Sequence, residues 1–170
     1  MAGAHAAPGE DTTMVTLRPM TEPEYTDFIA TSLPAYAADR ARSEDVPLEV
    51  AQTSANEQIA QLLPQGYATP EHHFWRAVAE DGAVVGALWV HHDVNQRRAF
   101  IYDIVIEEAQ RGKGYGEATM RALEEALRPL RVTHIGLSVF GFNTTARALY
   151  DKLGYGVAAT FMLKRIGEGA

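Results

Sequence analysis

The run Asp103-Ile104-Val105-Ile106-Glu107-Glu108-Ala109-Gln110-Arg111-Gly112-Lys113-Gly114-Tyr115-Gly116 carries an apolar strand through a short polar turn into a glycine-rich loop that opens a helix. Glycine at positions 112, 114 and 116 strips Cβ atoms from one side of the backbone, so successive N–H groups can converge on an anion. The helix that follows adds to this, because its first N–H groups lack intrahelical partners and its dipole favours negative charge there. Arg111 and Lys113 put positive charge at the rim. Taken alone, the loop suits either a phosphate-bearing cofactor or a glycine-rich surface turn between strand and helix. It does not suit a Walker loop, since Gly112-Lys113 is followed by Gly114 rather than Ser or Thr, and the glycine spacing is wrong for a dinucleotide fingerprint.

Other side chains can carry protons. Asp103 is the one carboxylate inside its strand, and burial there would raise its pKa toward working pH; a structural acid bonded to backbone or to an Arg is the alternative reading. Glu107 and Glu108 read as a solvated turn. His91 and His92 end the preceding strand, one pointing to each face of the sheet, and the alternatives there are a base or water relay and a surface hairpin end. His72 and His73 precede another strand and are candidates to line an acceptor pocket. These histidines are not spaced as metal ligands, so no metal is expected.

The elements that must position these groups are legible in turn. Met1 to Thr13 is Ala, Gly and polar residues with Pro8 and is expected to be a tail. Met14 to Arg18 reads as a first strand. Thr21 to Glu24 has the form of a capping box, with Tyr25, Phe28 and Ile29 at helical spacing and Pro34 expected to end or kink the helix. A second helix begins near Asp45 and Pro47, with Leu48, Ala51, Ala55, Ile59 and Leu62 in one stripe, and stops at Pro64 and Gly66. These helices and the loop from Gly66 to Pro70 stand before the sheet, and substrate selection is expected there.

Phe74–Glu80 and Ala83–His91 flank Asp81-Gly82, a hairpin signal, and a turn over Asp93–Gln96 leads to a strand from Arg98 to Ile106. From Gly116 the period becomes helical, with Met120, Leu123 and Leu127 on one face and Pro129 closing the element. Thr133–Phe140 reads as a strand, Asn143 as the N-cap of a helix through Leu153, Gly154 as its stop and Tyr155–Lys164 as a last strand.

The chain of 170 residues suits one domain, and 46% apolar with 22% charged residues is an ordinary globular composition. A net charge of −7 argues against a general nucleic-acid binder. No cysteine is present, which removes disulfides, thiolate metal sites and a cysteine nucleophile and fits a reducing compartment. No apolar run approaches the roughly 20 residues that span a bilayer, and the first residues lack a signal peptide's regions, so a cytoplasmic protein without a membrane partner is expected.

In this order of elements the chain resembles the GCN5-related N-acetyltransferase (GNAT) superfamily over residues 14–166, with tails at 1–13 and 167–170. Arg111-Gly112-Lys113-Gly114-Tyr115-Gly116 looks like that family's Arg/Gln-x-x-Gly-x-Gly/Ala acetyl-CoA motif. Asn143 through Tyr155 resembles a second motif, in which Asn opens a helix and Tyr-x-x-x-Gly-Phe/Tyr closes it. The resemblance implies an α/β fold of α+β type: a single domain with a mixed, mainly antiparallel sheet, splayed at the cofactor site and flanked by helices. The strand ending at Ile106 and the one ending near Phe140 would form the splay. It implies acetyl-CoA as co-substrate, its pantetheine bonded like an added strand to backbone at Ile104 and Ile106. The pyrophosphate would lie on the N–H groups of Gly112 through Gly116, Lys113 and Tyr115 included, and Asn143 would contact the arm.

The implied reaction is direct acetyl transfer to an amine, with no enzyme nucleophile. A protonated alkylamine, with a pKa of about 10.4, must lose its proton on or before attack. A backbone N–H at Ile104 or Val105 is the expected oxyanion donor. Tyr150, at the family's general-acid position, is expected to protonate the leaving thiolate, a buried aromatic on the helix's apolar face being the alternative reading, and Asp103 is the candidate base. A sensor that binds CoA thioesters without transfer, or transfer of a longer acyl group, are the alternatives. Many such proteins are homodimers, and no segment of the sequence identifies an interface.

Overall fold

The computed structural model describes residues 13–167, so the N-terminal tail before Thr13 and the tail beyond Gly167 lie outside the described residues. A sheet of β1 (Val15–Pro19), β2 (His72–Ala79), β3 (Val84–Asp93), β4 (Arg98–Ile106) and β5 (His134–Leu137) runs in that spatial order. The first four strands pair antiparallel, and β5 runs parallel to β4. The Asp81-Gly82 turn joins β2 to β3: Gly82 takes φ +85°, and the Asp81 carboxylate accepts from the Ala83 N–H at 2.9 Å.

Alternation along the strands divides the core in two. On one face Ala77, Leu88, Val90 and Ile101 pack against Met120, Leu123 and Leu127 of α3 (Tyr115–Leu127), an amphipathic helix whose apolar stripe is fully covered. Truncating Leu123 to Ala would cost about 2–5 kcal/mol by cavity formation. On the other face Phe74, Ala87 and Trp89 meet Met20, Phe28 and Leu63, under α1 (Glu22–Glu44) and α2 (Leu48–Leu62). The α1 N-terminus has the capping box, Thr21 accepting from the Glu24 N–H and Glu24 from the Thr21 N–H, worth about 1 kcal/mol.

Pro34 does not end α1, which continues through it to Glu44. The C-terminal half of α1 is held by α2, with Ala37 buried against Ala51 and Ala55 and with Leu33 and Ala41 beside them. Packing therefore offsets the hydrogen bond that proline removes.

Two expectations about the C-terminal third are corrected. The strand expected over Thr133–Phe140 is limited to His134–Leu137, because pairing with β4 ends at Leu137. The strand expected over Tyr155–Lys164 does not form: after α4 (Thr144–Lys152) the chain enters no ladder among the described residues, and a strand needs a ladder partner as well as propensity.

Candidate active site

Strands β4 and β5 are joined from Arg98↔His134 to Ile101↔Leu137 and no further. The register of β4 against β3 shifts at this level, Trp89 facing Asp103 and Val90 facing Ile101, so Tyr102 is bulged. Residues 102–106 thus run on beside β3 with their other edge open. Which backbone groups occupy that edge follows from alternation. The Glu107 N–H donates to the Val85 carbonyl at 2.9 Å, and the Val105 carbonyl oxygen lies over Gly86, so the odd-numbered residues address β3. The N–H and C=O groups of Ile104 and Ile106 face the gap, and those of Val105 face away from it.

The glycine loop closes the bottom of this gap. Gly112 and Gly114 adopt φ +73° and +84°, which glycine allows without steric cost, and Gly114 is the N-cap of α3. The N–H groups of Gly112 through Glu117 donate to no backbone or side-chain acceptor among the described residues; the first helical bond is Ala118 N–H to the Gly114 carbonyl. Successive free donors at a helix N-terminus form an anion cradle. At Gly116 a Cβ would come within 3.2 Å of Leu149 Cδ2 and 3.9 Å of Ile106 Cγ1, so strand, loop and α4 meet there.

The loop's charges are both engaged locally. Arg111 Nε donates to the Ile106 carbonyl at 3.1 Å, bracing the loop against the end of β4, and Lys113 Nζ donates to Gln110 Oε1 at 3.1 Å. Thr13 hydroxyl donates to the Lys113 carbonyl at 3.2 Å, a contact with no motif to announce it.

Asn143 caps α4, its Oδ1 accepting from the Ala146 N–H at 3.1 Å, which leaves its amide NH2 for other partners. Lys152 near the end of α4 is tied to Glu117 of α3 at 2.5 Å. Between these anchors Tyr150 is half-buried against the core beside Tyr155, ring centroids 5.7 Å apart. Its hydroxyl has no partner among the described residues.

Asp103 is half-buried, and desolvation raises its pKa above the ordinary value of 3.8; the Ser32 hydroxyl and the Ile104 N–H favour the ionised form and offset part of the rise. Burial raises the Tyr150 pKa, and the negative charge of nearby Asp103 raises it further. The structure thus brings Asp103 of β4 and Tyr150 of α4 together near the end of the gap where β4 and β5 join. Ser32 was not legible as a partner, although it stands one helical turn beyond buried Phe28 on α1.

The histidines divide between the faces as expected. His72 and His91 stack at 4.7 Å on one side, His91 Nε2 lying 3.5 Å from Glu71, while His73 and buried His92 share the other. Trp89 Nε1 donates to His72 Nδ1 at 2.9 Å, and burial pushes the His72 pKa down to about 4. Glu107 and Glu108 are exposed in the turn after β4. Among the described residues no group of three or more His, Asp or Glu gathers as if for a metal ion, and no helix is long and apolar enough to cross a membrane.

Comparison with known proteins gives a consistent result. Residues 39–155 match the sequence model of the acetyltransferase (GNAT) family. The chain is 33% identical over 154 residues to the uncharacterised N-acetyltransferase YycN of Bacillus subtilis, spanning 89% of this chain and 99% of the relative. It is 32% identical over 153 residues to a second such protein of that organism, YdgE, spanning 89% and 98%. The crystal structure of YycN superposes with a TM-score of 0.86 over 91% of this chain and 100% of that one.

Proposed function

The chain belongs to the acetyltransferase (GNAT) family, and we propose that it moves an acetyl group from acetyl-CoA to the primary amine of a small molecule or peptide, by direct attack in a ternary complex. The observation that carries this reading is that the free N–H donors of the glycine loop run on into the β4 edge that β5 leaves open. The loop N–H groups of Gly112 through Glu117 lead to the open β4 edge at Ile106 and Ile104, and Asp103 and Tyr150 stand where that edge ends.

These residues fit the co-substrate. The cradle around Gly112, Lys113, Gly114, Tyr115 and Gly116 suits a pyrophosphate, with Arg111 holding the loop in position. The edge at Ile104 and Ile106 suits a pantetheine arm bonded as an extra strand, and the spare Asn143 amide would reach the same arm. Val105 would line the arm through its side chain, since its N–H addresses β3. When bound, acetyl-CoA supplies the acyl group as an activated thioester.

Each protein group then has one task. The Ile104 N–H polarises the carbonyl oxygen, and this assignment prefers it to Val105 because it faces the gap. Asp103, raised toward working pH, takes a proton from the incoming ammonium, directly or through one water. Tyr150, kept protonated by burial and by Asp103, gives its proton to the departing sulfur. Ser32 on α1 modulates Asp103, consistent with acceptor selection by the helices over that face. The cysteine-free sequence supports work in the reducing cytoplasm.

A screen for acetyl-CoA thiol release over small amines and peptides tests the reading. Release that depends on a particular amine is expected. Acetyl-CoA binding without release for any acceptor would instead make the protein a thioester sensor.

A further inference from the structure

On the acetyl-transfer reading proposed above, on which this rests, we infer that the acceptor is a monoamine carried on a flat aromatic body. Tyr102 and Phe100 of β4 face that body from one side, and Tyr36 of α1 and Phe140 of the loop after β5 face it from the other. The bulge in β4 builds the first wall. Ala99, Ile101 and Ile104 pack on the α3 side of the sheet, whereas Tyr102 packs on the α1 side and Asp103 lies opposite Trp89 of that same side. Strict alternation would send neighbouring side chains to opposite faces, so the bulged register is what sets an aromatic ring and the proposed base side by side.

On the sheet, the rings form a continuous row. Buried Trp89 stacks on Tyr102 at 4.6 Å, and Tyr102 and Phe100 meet edge to face at 4.9 Å. The hydrogen bond from Trp89 Nε1 to His72 Nδ1 holds the row in orientation. Phe100 stays half-buried, outside the three buried clusters, and lies along Gly136 of β5, where a Cβ would come within 3.4 Å of its ring. Glycine at 136 thus keeps the β5 side of the row clear. Across from it, Tyr36 stands one helical turn beyond Ser32, whose hydroxyl bonds Asp103, and its ring, 39% exposed, lies 6.0 Å from Phe140. The Tyr36 hydroxyl donates to Gln58 Oε1 of α2 at 3.3 Å, which fixes that ring. β5 leaves β4 after Leu137, so Phe140 belongs to the far side of the gap from Tyr102 and Asp103. Rings that served packing alone would be covered, whereas these four are left partly open around one carboxylate.

Shape and charge together select the acceptor. A flat aromatic body meets both walls with stacked or edge-on rings, which a single alkyl chain cannot do. Charge then separates a monoamine from a polyamine. The Arg42 guanidinium lies 4.0 Å over the Phe142 ring, Phe142 stacks on Phe140 at 5.5 Å, and Arg147 Nη1 donates to the Gly141 carbonyl at 3.4 Å. Two guanidiniums therefore attend the loop that carries Phe140, and a second ammonium on the acceptor would meet like charge there. A single amine on a short alkyl link places its nitrogen at Asp103 and its ring between the walls.

Two measurements on the full chain test this. Thiol release from acetyl-CoA is compared for phenethylamine, hexylamine and spermidine. Phenethylamine should have the highest kcat/KM, by about tenfold over hexylamine, and Phe140→Ala should raise its KM about tenfold while leaving the KM for hexylamine and the affinity for acetyl-CoA unchanged. Equal or better turnover of hexylamine or spermidine overturns the aromatic acceptor and leaves the transferase reading standing, as does a variant that weakens aryl and alkyl amines alike. Binding is read separately, by following the ring protons of Tyr36, Tyr102 and Phe140 by NMR as phenethylamine is added in the presence of CoA. Shifts at these rings without thiol release for any amine would support the aromatic site and sink the transferase reading. No shift at these rings, with or without release, overturns the inference, even if the Phe140→Ala variant fails to fold.

Discussion

The Val105 carbonyl oxygen lies so close over Gly86 that a Cβ on Gly86 would come within 2.5 Å of it. This approach holds the odd-numbered side of β4 to β3 and leaves Ile104 and Ile106 to address the gap beside β5. Adding a methyl group here pushes backbone against backbone, which cannot be relieved by a rotamer change. Gly86→Ala should therefore lower unfolding stability by about 1–3 kcal/mol in urea denaturation and weaken acetyl-CoA binding. Unchanged stability would show that β4 has room to move at this point.

Tyr150→Phe removes one hydroxyl and leaves the ring packed beside Tyr155. If Tyr150 is the general acid, kcat should fall by roughly a hundredfold. Acetyl-CoA affinity, measured by calorimetry, should be unchanged. Because the Tyr150 pKa lies above 10, the wild type should keep the protonated acid through neutral pH and lose it only on the strongly alkaline side. Equal turnover by wild type and variant across pH would exclude the role.

Asp103→Asn separates catalysis from stability. The folded-state pKa of Asp103 is raised above 3.8, so the unfolded chain ionises first as pH rises. The resulting penalty is absent below the unfolded value, grows through the folded value and is complete above it. The variant should gain stability relative to wild type as pH rises from 4 toward neutrality, while losing the acidic limb of the rate profile. A variant that retains that limb would assign the base elsewhere.

His72 on β2 provides a second pH test. Its folded pKa of about 4 lies below the ordinary 6.5, so between those values the unfolded chain takes up a proton that the native state refuses. Stability contributed by neutral His72 is complete above 6.5 and is lost as pH falls toward 4. His72→Asn keeps an acceptor for Trp89 Nε1 and cannot titrate, so its stability should depend less on pH over that window in chemical denaturation. An unchanged slope would mean that other groups set it.

What the sequence disclosed was mostly local. Thr21 and Glu24 announce their helix, Asp81-Gly82 its hairpin and Asn143 its cap, because each signal and its partner lie within a few residues. The glycine loop was legible for the same reason. That Pro34 does not end α1 was not legible, because the packing that keeps α1 helical comes from α2, through Ala51 and Ala55. The partnership of Ser32 with Asp103 joins positions about 70 residues apart, and the contact of Thr13 with Lys113 is longer still. For residues 155–164, strand propensity was readable, but no ladder partner for them is found among the described residues.

The donor site can be tested without knowing the acceptor. Amide hydrogen exchange followed residue by residue, with and without saturating acetyl-CoA, reports on the backbone groups assigned to bind it. The N–H groups of Ile104, Ile106 and Gly112 through Glu117 should exchange more slowly in its presence, with Val105 unchanged because it is already turned toward β3. Binding that protects some other surface, or no surface, would contradict the assignment of this gap as the acetyl-CoA site.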